Sequence, residues 1–457
     1  MKSFAGAPGY FRPATHPFRM TYAETLHYLY HALPDFQRAG ASAYKPGLET
    51  ARALDLQDGH PHESYASVHI AGTNGKGSVS HMLASVMQSA GYCTGLFTSP
   101  HLRDFRERIR VNGVAIPEAA VLEYVHQRIG LFEQLHASFF EMTSAMALHW
   151  FARCGVDIAI METGLGGRLD STNIISPILS VITNISLDHT ALLGHTLGEI
   201  ANEKAGIIKP GVPVVVGESH PQTNEVFTKY ARDNHAQIVF ADERYQVAAQ
   251  HCANGLQHFR ITHRTQTCGM PKAPTEAEAR TLATDLSGLY QQKNILTVHA
   301  ALEFMQQSGW TIPENAVREG LANVCRNTCL MGRWQTIGTS PLIVCDTAHN
   351  PAGIEWTVQQ MLLTPHQHLH IVLGMVRDKD ITSILKLLPK QALYYFTQAD
   401  SPRSLPAEIL HQMGTEHGLR GSVHTTVHGA LQAARSAATK DDFIYVGGST
   451  FVVAEVL

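Results

Sequence analysis

The stretch VHIAGTNGKGSVSHMLASVMQSAG, residues 68–91, decides the fold. Val68–Ala71 is an apolar run of strand length. Gly72, Gly75 and Gly77 break that pattern. Beyond them Val79, Met82, Leu83, Val86, Met87 and Ala90 recur at i, i+3, i+4, i+7, i+8 and i+11, one face of an amphipathic helix that Gly91 stops. A strand, a glycine-rich turn and a helix in this order make a phosphate cradle. Glycines let backbone N–H groups face an anion, the helix N-terminus adds partial positive charge, and Lys76 adds a full one. The spacing departs from G-x4-G-K-S/T because Gly77 stands between Lys76 and Ser78. A purely structural glycine turn is the competing reading; the flanking strand, helix and lysine argue against it.

Outward from this loop, apolar runs alternate with helical segments. Gly95–Thr98, Val156–Met161, Ile178–Ile185 and Val212–Gly217 read as strands. The stretch Ala241–Ser287 is polar, contains Pro271 and Pro274, and reads as an irregular insertion. A second alternation opens with strand Leu342–Asp346 and a helix from Pro351, then strands His370–Gly374, Leu393–Thr397 and Phe443–Val446. The expected fold is α/β. A P-loop-type N-terminal domain with a central, mainly parallel sheet covers 20–330, and a smaller Rossmann-like α/β domain covers 332–457, with the boundary at Leu330–Gly332. Residues 1–19 lack the apolar core of a signal peptide and are expected to be a disordered extension, with Met20 an alternative start.

In parallel sheets ligands gather beyond the carboxyl ends of strands. Ser99, Glu162 and the pair Asp188-His189 each follow such an end. A hydroxyl, a carboxylate and an imidazole beside a phosphate loop suit magnesium, with water completing the octahedron. Singly, each reads more readily as a capping or loop residue. Gly164–Asp170 (GLGGRLD) permits close backbone approach, with Arg168 placed to hold a carboxylate or phosphate. Lys204 lies in a helical stretch, Glu199–Gly206, where a solvated lysine or one paired with Glu203 or Glu199 is the plain alternative. Asn350 before Pro351 reads as a helix cap and a first-turn proline, which leaves Asp346 and His349 open to a further role.

Composition restricts the function classes. With 35 Lys+Arg against 39 Asp+Glu, the net charge of −4 offers no global attraction to nucleic acid or an anionic membrane, so an anionic ligand needs a local site. No apolar run reaches the ~20 residues of a membrane span. Seven scattered cysteines suit reduced thiols in the cytoplasm better than a disulfide framework. Cys325 and Cys329, four apart in an expected helix, read as packing, because two further zinc ligands are missing.

The motifs AGTNGKGS (71–78), TSPHL (98–102), RERIRVNG (106–113), FFEMTS (139–144), ETGLGGRLDSTN (162–173), LDH (187–189), EKAGIIKPG (203–211), GRWQ (332–335) and DTAHNP (346–351) together resemble the folylpolyglutamate synthase/dihydrofolate synthase branch of the Mur ligase family. TSPHL and GLGGRLD point away from the peptidoglycan ligases. The resemblance runs from Thr21 to the C-terminus and departs from the family pattern at Tyr44–Glu49.

The resemblance implies an ATP-dependent ligase that adds L-glutamate to folate or dihydropteroate. Gly75, Lys76, Gly77 and Ser78 would hold the ATP phosphates; Ser99, Glu162 and His189 would bind magnesium. Lys204 matches a lysine that becomes a carbamate and helps position a second magnesium. Asn294, Arg333 and Asp346 match ATP contacts, and His349 lies in the motif on the C-terminal face of the active site. Ser138, Phe139, Phe140, Glu141, Leu169, Asp170 and Ser171 match the pterin site. The expected partners are these small molecules alone, acting on a cytoplasmic monomer. Two enzyme alternatives remain: a single-activity folylpolyglutamate synthase, and a Mur-type ligase for another carboxylate. A ligase of nucleotide-linked sugar peptides would need a further domain ahead of the loop, for which the segment after Met20 is too short. A non-catalytic ATP-binding protein would show erosion of Lys76, Glu162, His189 or Lys204, and all four are present.

Overall fold

The computed structural model describes residues 20–31, 47–264 and 279–457. The extension 1–19, Cys268 and the insertion's Pro271 and Pro274 lie outside the described residues.

The chain's first large element is an eight-stranded sheet. Its strands are β1 (Ala66–Ala71), β2 (Thr94–Phe97), β3 (Ile109–Val111), β4 (Val114–Ala115), β5 (Ile158–Glu162), β6 (Leu179–Ile182), β7 (Val214–Val216) and β8 (Ile238–Phe240). They lie in the order β4-β3-β2-β5-β1-β6-β7-β8. From β2 to β8 all pairings are parallel; β3 and β4 form an antiparallel edge. Val68 and Ile70 of β1 pack with Val79, Met82, Leu83 and Val86 of the helix Lys76–Ser89. That helix is covered in turn by the helices Gln291–Gln307 and Glu314–Ala322, which is why nearly its whole circumference is buried. Phe97, Ala159 and Met161 serve the opposite layer, against the helices Glu118–Leu135 and Phe139–Cys154. Covering both faces leaves the carboxyl ends of the parallel strands as the open rim, the usual place for ligands.

The described part of the stretch expected to be irregular instead carries a three-stranded antiparallel sheet, β9 (Tyr245–Ala253), β10 (Leu256–His263) and β11 (Arg280–Thr284), in the order β11-β10-β9. Phe259, Ile261 and Leu282 face the N-terminal core, while residues between them face solvent, as Arg260 does. The many polar residues hide a period-two pattern, and Asn254-Gly255 is its hairpin turn.

The C-terminal sheet comprises β12 (Gln335–Thr339), β13 (Leu342–Asp346), β14 (Leu369–Leu373), β15 (Leu393–Phe396), β16 (Arg420–Val423) and β17 (Phe443–Gly447), in the order β12-β13-β17-β14-β15-β16. Only the β12–β13 pair is antiparallel. Two apolar layers cover its faces, so this half has its own core. The α/β architecture of two sheet domains is thus as expected. Cys325 and Cys329 do not share a helical face: the helix Val324–Thr328 ends first, and Cys329 is its left-handed cap. Among the described residues no helix is long and apolar enough to cross a membrane.

Candidate active site

β1 leads directly into the glycine loop. Gly75, at φ +84, caps the helix Lys76–Ser89, and a Cβ there would collide with Asn294 Oδ1. The loop is pinned to the chain beyond β6: Thr73 N donates to Asn184 O (2.9 Å), and Asn74 N donates to Asn184 Oδ1 (3.0 Å). Lys76 Nζ folds back onto the carbonyls of Gly72 (3.1 Å) and Thr73 (3.3 Å), and burial lowers its pKa. Ser78 Oγ accepts from Gln291 Nε2, and Asn294 Nδ2 donates to Gln291 Oε1. Arg333 reaches the same loop: its Nη2 would lie 3.5 Å from a Cβ on Gly77.

Because β5 lies between β1 and β2, its last residue, Glu162, sits beside Ser99. Ser99 N donates to Glu162 Oε2 at 3.3 Å. The carboxylate is 3% exposed, and burial pushes its pKa up to about 7 against the pull of Lys76 and Arg333. Among the described residues no basic side chain lies within ion-pair distance of it. β6 ends at Ile182, so Asp188-His189 lies six residues farther on instead of at the strand end. Burial, then Lys379, lowers the His189 pKa to about 3, which keeps the ring neutral and able to donate a lone pair. No cluster of three His, Cys, Asp or Glu with metal-holding geometry occurs among the described residues. A buried carboxylate without a counter-ion, a hydroxyl and a neutral imidazole nevertheless fit a hard cation that retains several waters.

Lys204 is not the salt-bridged lysine of the plain reading. It is 3% exposed, and its Nζ donates to Gly72 O at 2.9 Å. Glu203 instead holds Arg168 (2.7 Å), which is half-exposed and turned to that partner, not to the site. Glu199 folds back to cap its own helix. Burial, reinforced by Lys76, lowers the Lys204 pKa to about 7.

A cavity of about 260 Å³ opens against these groups. Ser138 and Glu141 form a capping box at the start of the helix Phe139–Cys154, and this fixes Phe139 and Phe140 at the cavity wall. Opposite, Asp170 accepts from Gly164 N and Leu165 N (both 2.8 Å) and from Thr172, so its carboxylate shapes the glycine loop. Gly164 packs so closely on Phe140 that a Cβ would enter the ring. The expected pterin residues Ser138–Glu141 and Leu169–Ser171 all line this cavity, as do Lys76, Ser99, His189, Lys204 and His349. Gly75, Gly77, Ser78, Glu162, Asn294, Arg333 and Asp346 do not. Asp346 is a buckle at the domain junction: it accepts from Tyr290 Oη, Trp334 N (both 2.7 Å) and Ala348 N (2.8 Å).

The C-terminal domain closes the cavity with Lys379, Arg403, Thr450 and Phe451, none of which was read from the sequence. Asp188 joins the two halves. It pairs with Lys379 Nζ (2.5 Å), lies 3.4 Å from His349 Nε2, and accepts from Asn350 Nδ2 (3.1 Å). Burial opposes its ionisation, yet His349 and Lys379 hold its pKa far below the usual carboxylate range. Asn350 caps its helix as expected and also exchanges two amide hydrogen bonds with Asn74 of the phosphate loop.

The Mur ligase middle domain model matches residues 70–302, and the Mur ligase glutamate ligase domain model matches residues 332–450. The dihydrofolate synthase/folylpolyglutamate synthase of Escherichia coli is 34% identical over 392 residues, 85% of each chain. A probable bifunctional folylpolyglutamate synthase/dihydropteroate synthase of Haloferax volcanii is 34% identical over 95% of this chain, which spans half the length of that longer protein. Among solved structures, E. coli FolC in complex with DHPP and ADP superposes with a TM-score of 0.80 at 30% identity, covering 97% of this chain and 98% of that one. The Yersinia pestis bifunctional enzyme complexed with AMPPNP and Mn ion superposes with a TM-score of 0.78 at 29% identity, covering 97% and 98%.

Proposed function

The chain belongs to the Mur ligase family, in its folylpolyglutamate synthase/dihydrofolate synthase branch, and from that premise we propose that it joins L-glutamate to the carboxylate of dihydropteroate, of tetrahydrofolate polyglutamates, or of both. It is an ATP-dependent ligase. The observation that carries the substrate reading is that one cavity meets a phosphate loop, a wall of Phe139 and Phe140, and a C-terminal face bearing Lys379 and Arg403.

The acid's rings lie against Phe139 and Phe140, and its carboxylate points to the loop. Lys76 and the helix N-terminus hold the ATP phosphates in line with that carboxylate. Asn294 and Arg333 flank the nucleotide, and Asp346 holds Tyr290 and Trp334 around it. Attack of a carboxylate oxygen on the γ-phosphorus breaks its bond to the β–γ bridging oxygen and yields an acyl phosphate and ADP. Ser99, Glu162 and His189 would hold a magnesium ion, which would supply neutralisation of the transferring phosphoryl charge. A carbamate of Lys204, formed when the neutral amine adds CO2 and releases a proton, would hold a second ion; burial and the lowered pKa support this.

Lys379 and Arg403 face the position of glutamate, whose two carboxylates need cations. The glutamate amine attacks the acyl carbon and phosphate leaves. His349 takes up the amine proton, with Asp188 stabilising the imidazolium. The Asp188 and Asn74–Asn350 contacts draw the domains together and keep water from the acyl phosphate. The chain is taken to work as a cytoplasmic monomer, which sedimentation at the mass of one chain checks.

ADP release with glutamate, measured separately with dihydropteroate and with tetrahydrofolate, assigns one activity or both. Release with neither acid overturns the reading.

A further inference from the structure

We infer that Arg108 holds the reacting carboxylate of the acid substrate, and that Tyr30 and His101 hold Arg108 for this task; the inference rests on the function proposed above. Arg108 closes the 3-10 turn Phe105–Arg108, just before β3. Thr98 N donates to Arg108 O at 3.0 Å, and β3 pairs with β2, so the backbone of Arg108 is fixed beside Ser99 at the ligand-bearing rim.

The side chain is 2% exposed, yet it lines the cavity. A guanidinium is costly to bury unless its surroundings are arranged for it. Here four side chains from separate segments close a ring. Arg108 Nε donates to His101 Nδ1 at 2.8 Å, and His101 Nε2 lies 3.3 Å from Tyr30 Oη. The Tyr30 ring stacks on Phe139 with centroids 5.2 Å apart, and the Arg108 guanidinium lies 5.0 Å from the centroid of the same Phe139 ring.

The ring of contacts determines protonation as well as position. Arginine only donates, so His101 Nδ1 must accept; the proton then sits on Nε2 and is donated to Tyr30. With Nε committed and the plane set over Phe139, the guanidinium is held in one orientation. A planar fork held in this way suits a carboxylate far better than a flexible ammonium does.

Beside Arg108 is Phe139, the wall for the acid's rings. The Arg108 charge also reaches Glu162, which sits beside Ser99 at the rim. The reacting carboxylate must lie between those two places to reach the γ-phosphate.

The test is a ratio of affinities that needs no turnover. Binding of dihydropteroate and of its carboxamide is measured by pterin fluorescence on the full chain with magnesium and a non-hydrolysable ATP analogue. Wild type is expected to prefer the acid. In Arg108→Gln that preference should fall by about tenfold or more, because a charge-assisted contact is lost, while the amide and the nucleotide bind as before. Arg108→Lys keeps the charge but not the fork or the Nε donor, and should lose a smaller part. Tyr30→Phe removes one hydroxyl and should reduce the preference a few-fold. A general packing defect would weaken acid and amide alike and leave the ratio unchanged; that result overturns the assignment. If Arg108→Gln fails to bind nucleotide, the ratios in Arg108→Lys and Tyr30→Phe decide in the same way. A wild type that binds neither dihydropteroate nor tetrahydrofolate refutes the proposed function and this inference with it, whereas a wild type that prefers the acid and variants that keep that preference refute Arg108 alone.

Discussion

Lys204 offers the sharpest test of the metal chemistry, through removal of CO2. Only a neutral amine adds CO2, so the pKa sets the outcome. An ordinary lysine near 10.5 is neutral in roughly one molecule per thousand at pH 7.5, whereas a group lowered to about 7 is neutral in roughly three of four, a gain of several hundred-fold. The cause is burial at 3% exposure, reinforced by Lys76. The sign follows: the neutral amine predominates above about pH 7 and is lost as pH falls through that value, with roughly one tenth left at pH 6. Enzyme depleted of CO2 should therefore lose ADP release at pH 7.5 and recover it when bicarbonate returns. Below pH 7 more dissolved CO2 should be needed for the same recovery. Carbon-13 NMR with labelled bicarbonate should show a carbamate resonance that Lys204→Ala lacks, and acetate should restore part of that variant's activity. Full activity without CO2, together with no carbamate signal, would refute the reasoning.

Lys76→Ala should lower ADP release by at least about a hundredfold, as loss of a preorganised charge does; turnover within tenfold of wild type would make the loop structural. Glu162→Gln should raise the magnesium concentration needed for half-maximal rate. It should also stabilise the ligand-free protein at pH 8 by up to about 3 kcal/mol in thermal unfolding, because a folded pKa raised from 4.5 to about 7 penalises the charged carboxylate fully above 7 and not at all below 4.5. An unchanged magnesium titration removes Glu162 from the site. Gly164→Ala forces a methyl group into the Phe140 ring and should raise the KM for the acid while ATP-analogue binding is retained; an unaltered KM would place the acid elsewhere. Asp188→Asn uncouples Lys379 and His349 from the N-terminal half and should raise the radius of gyration of the nucleotide complex in X-ray scattering. An unchanged radius would show that closure does not depend on this contact.

The local features of this protein were legible in its sequence. A strand, a glycine turn and a helix with Lys76 at its start are contiguous, so their chemistry follows from spacing and backbone geometry alone. The same holds for the parallel alternation, for Glu162 at a strand end, and for Asn350 capping its helix. The Ala241–Ser287 region reads as irregular because half the residues of a one-sided strand face water, and its polar residues mask Phe259, Ile261 and Leu282. Lys379, Arg403 and the Tyr30–His101–Arg108 ring became visible only once distant segments met; Asp188 and Lys379 are 191 residues apart. Lys204 marks the division most clearly. Its sequence neighbourhood, with Glu199 and Glu203 nearby, suits a salt-bridged surface lysine equally well, and the folded chain instead buries its amine on the Gly72 carbonyl. Spacing determines which face of a helix a side chain occupies, but its pKa depends on the desolvation and charges of everything packed around it, and that is a property of the tertiary structure alone.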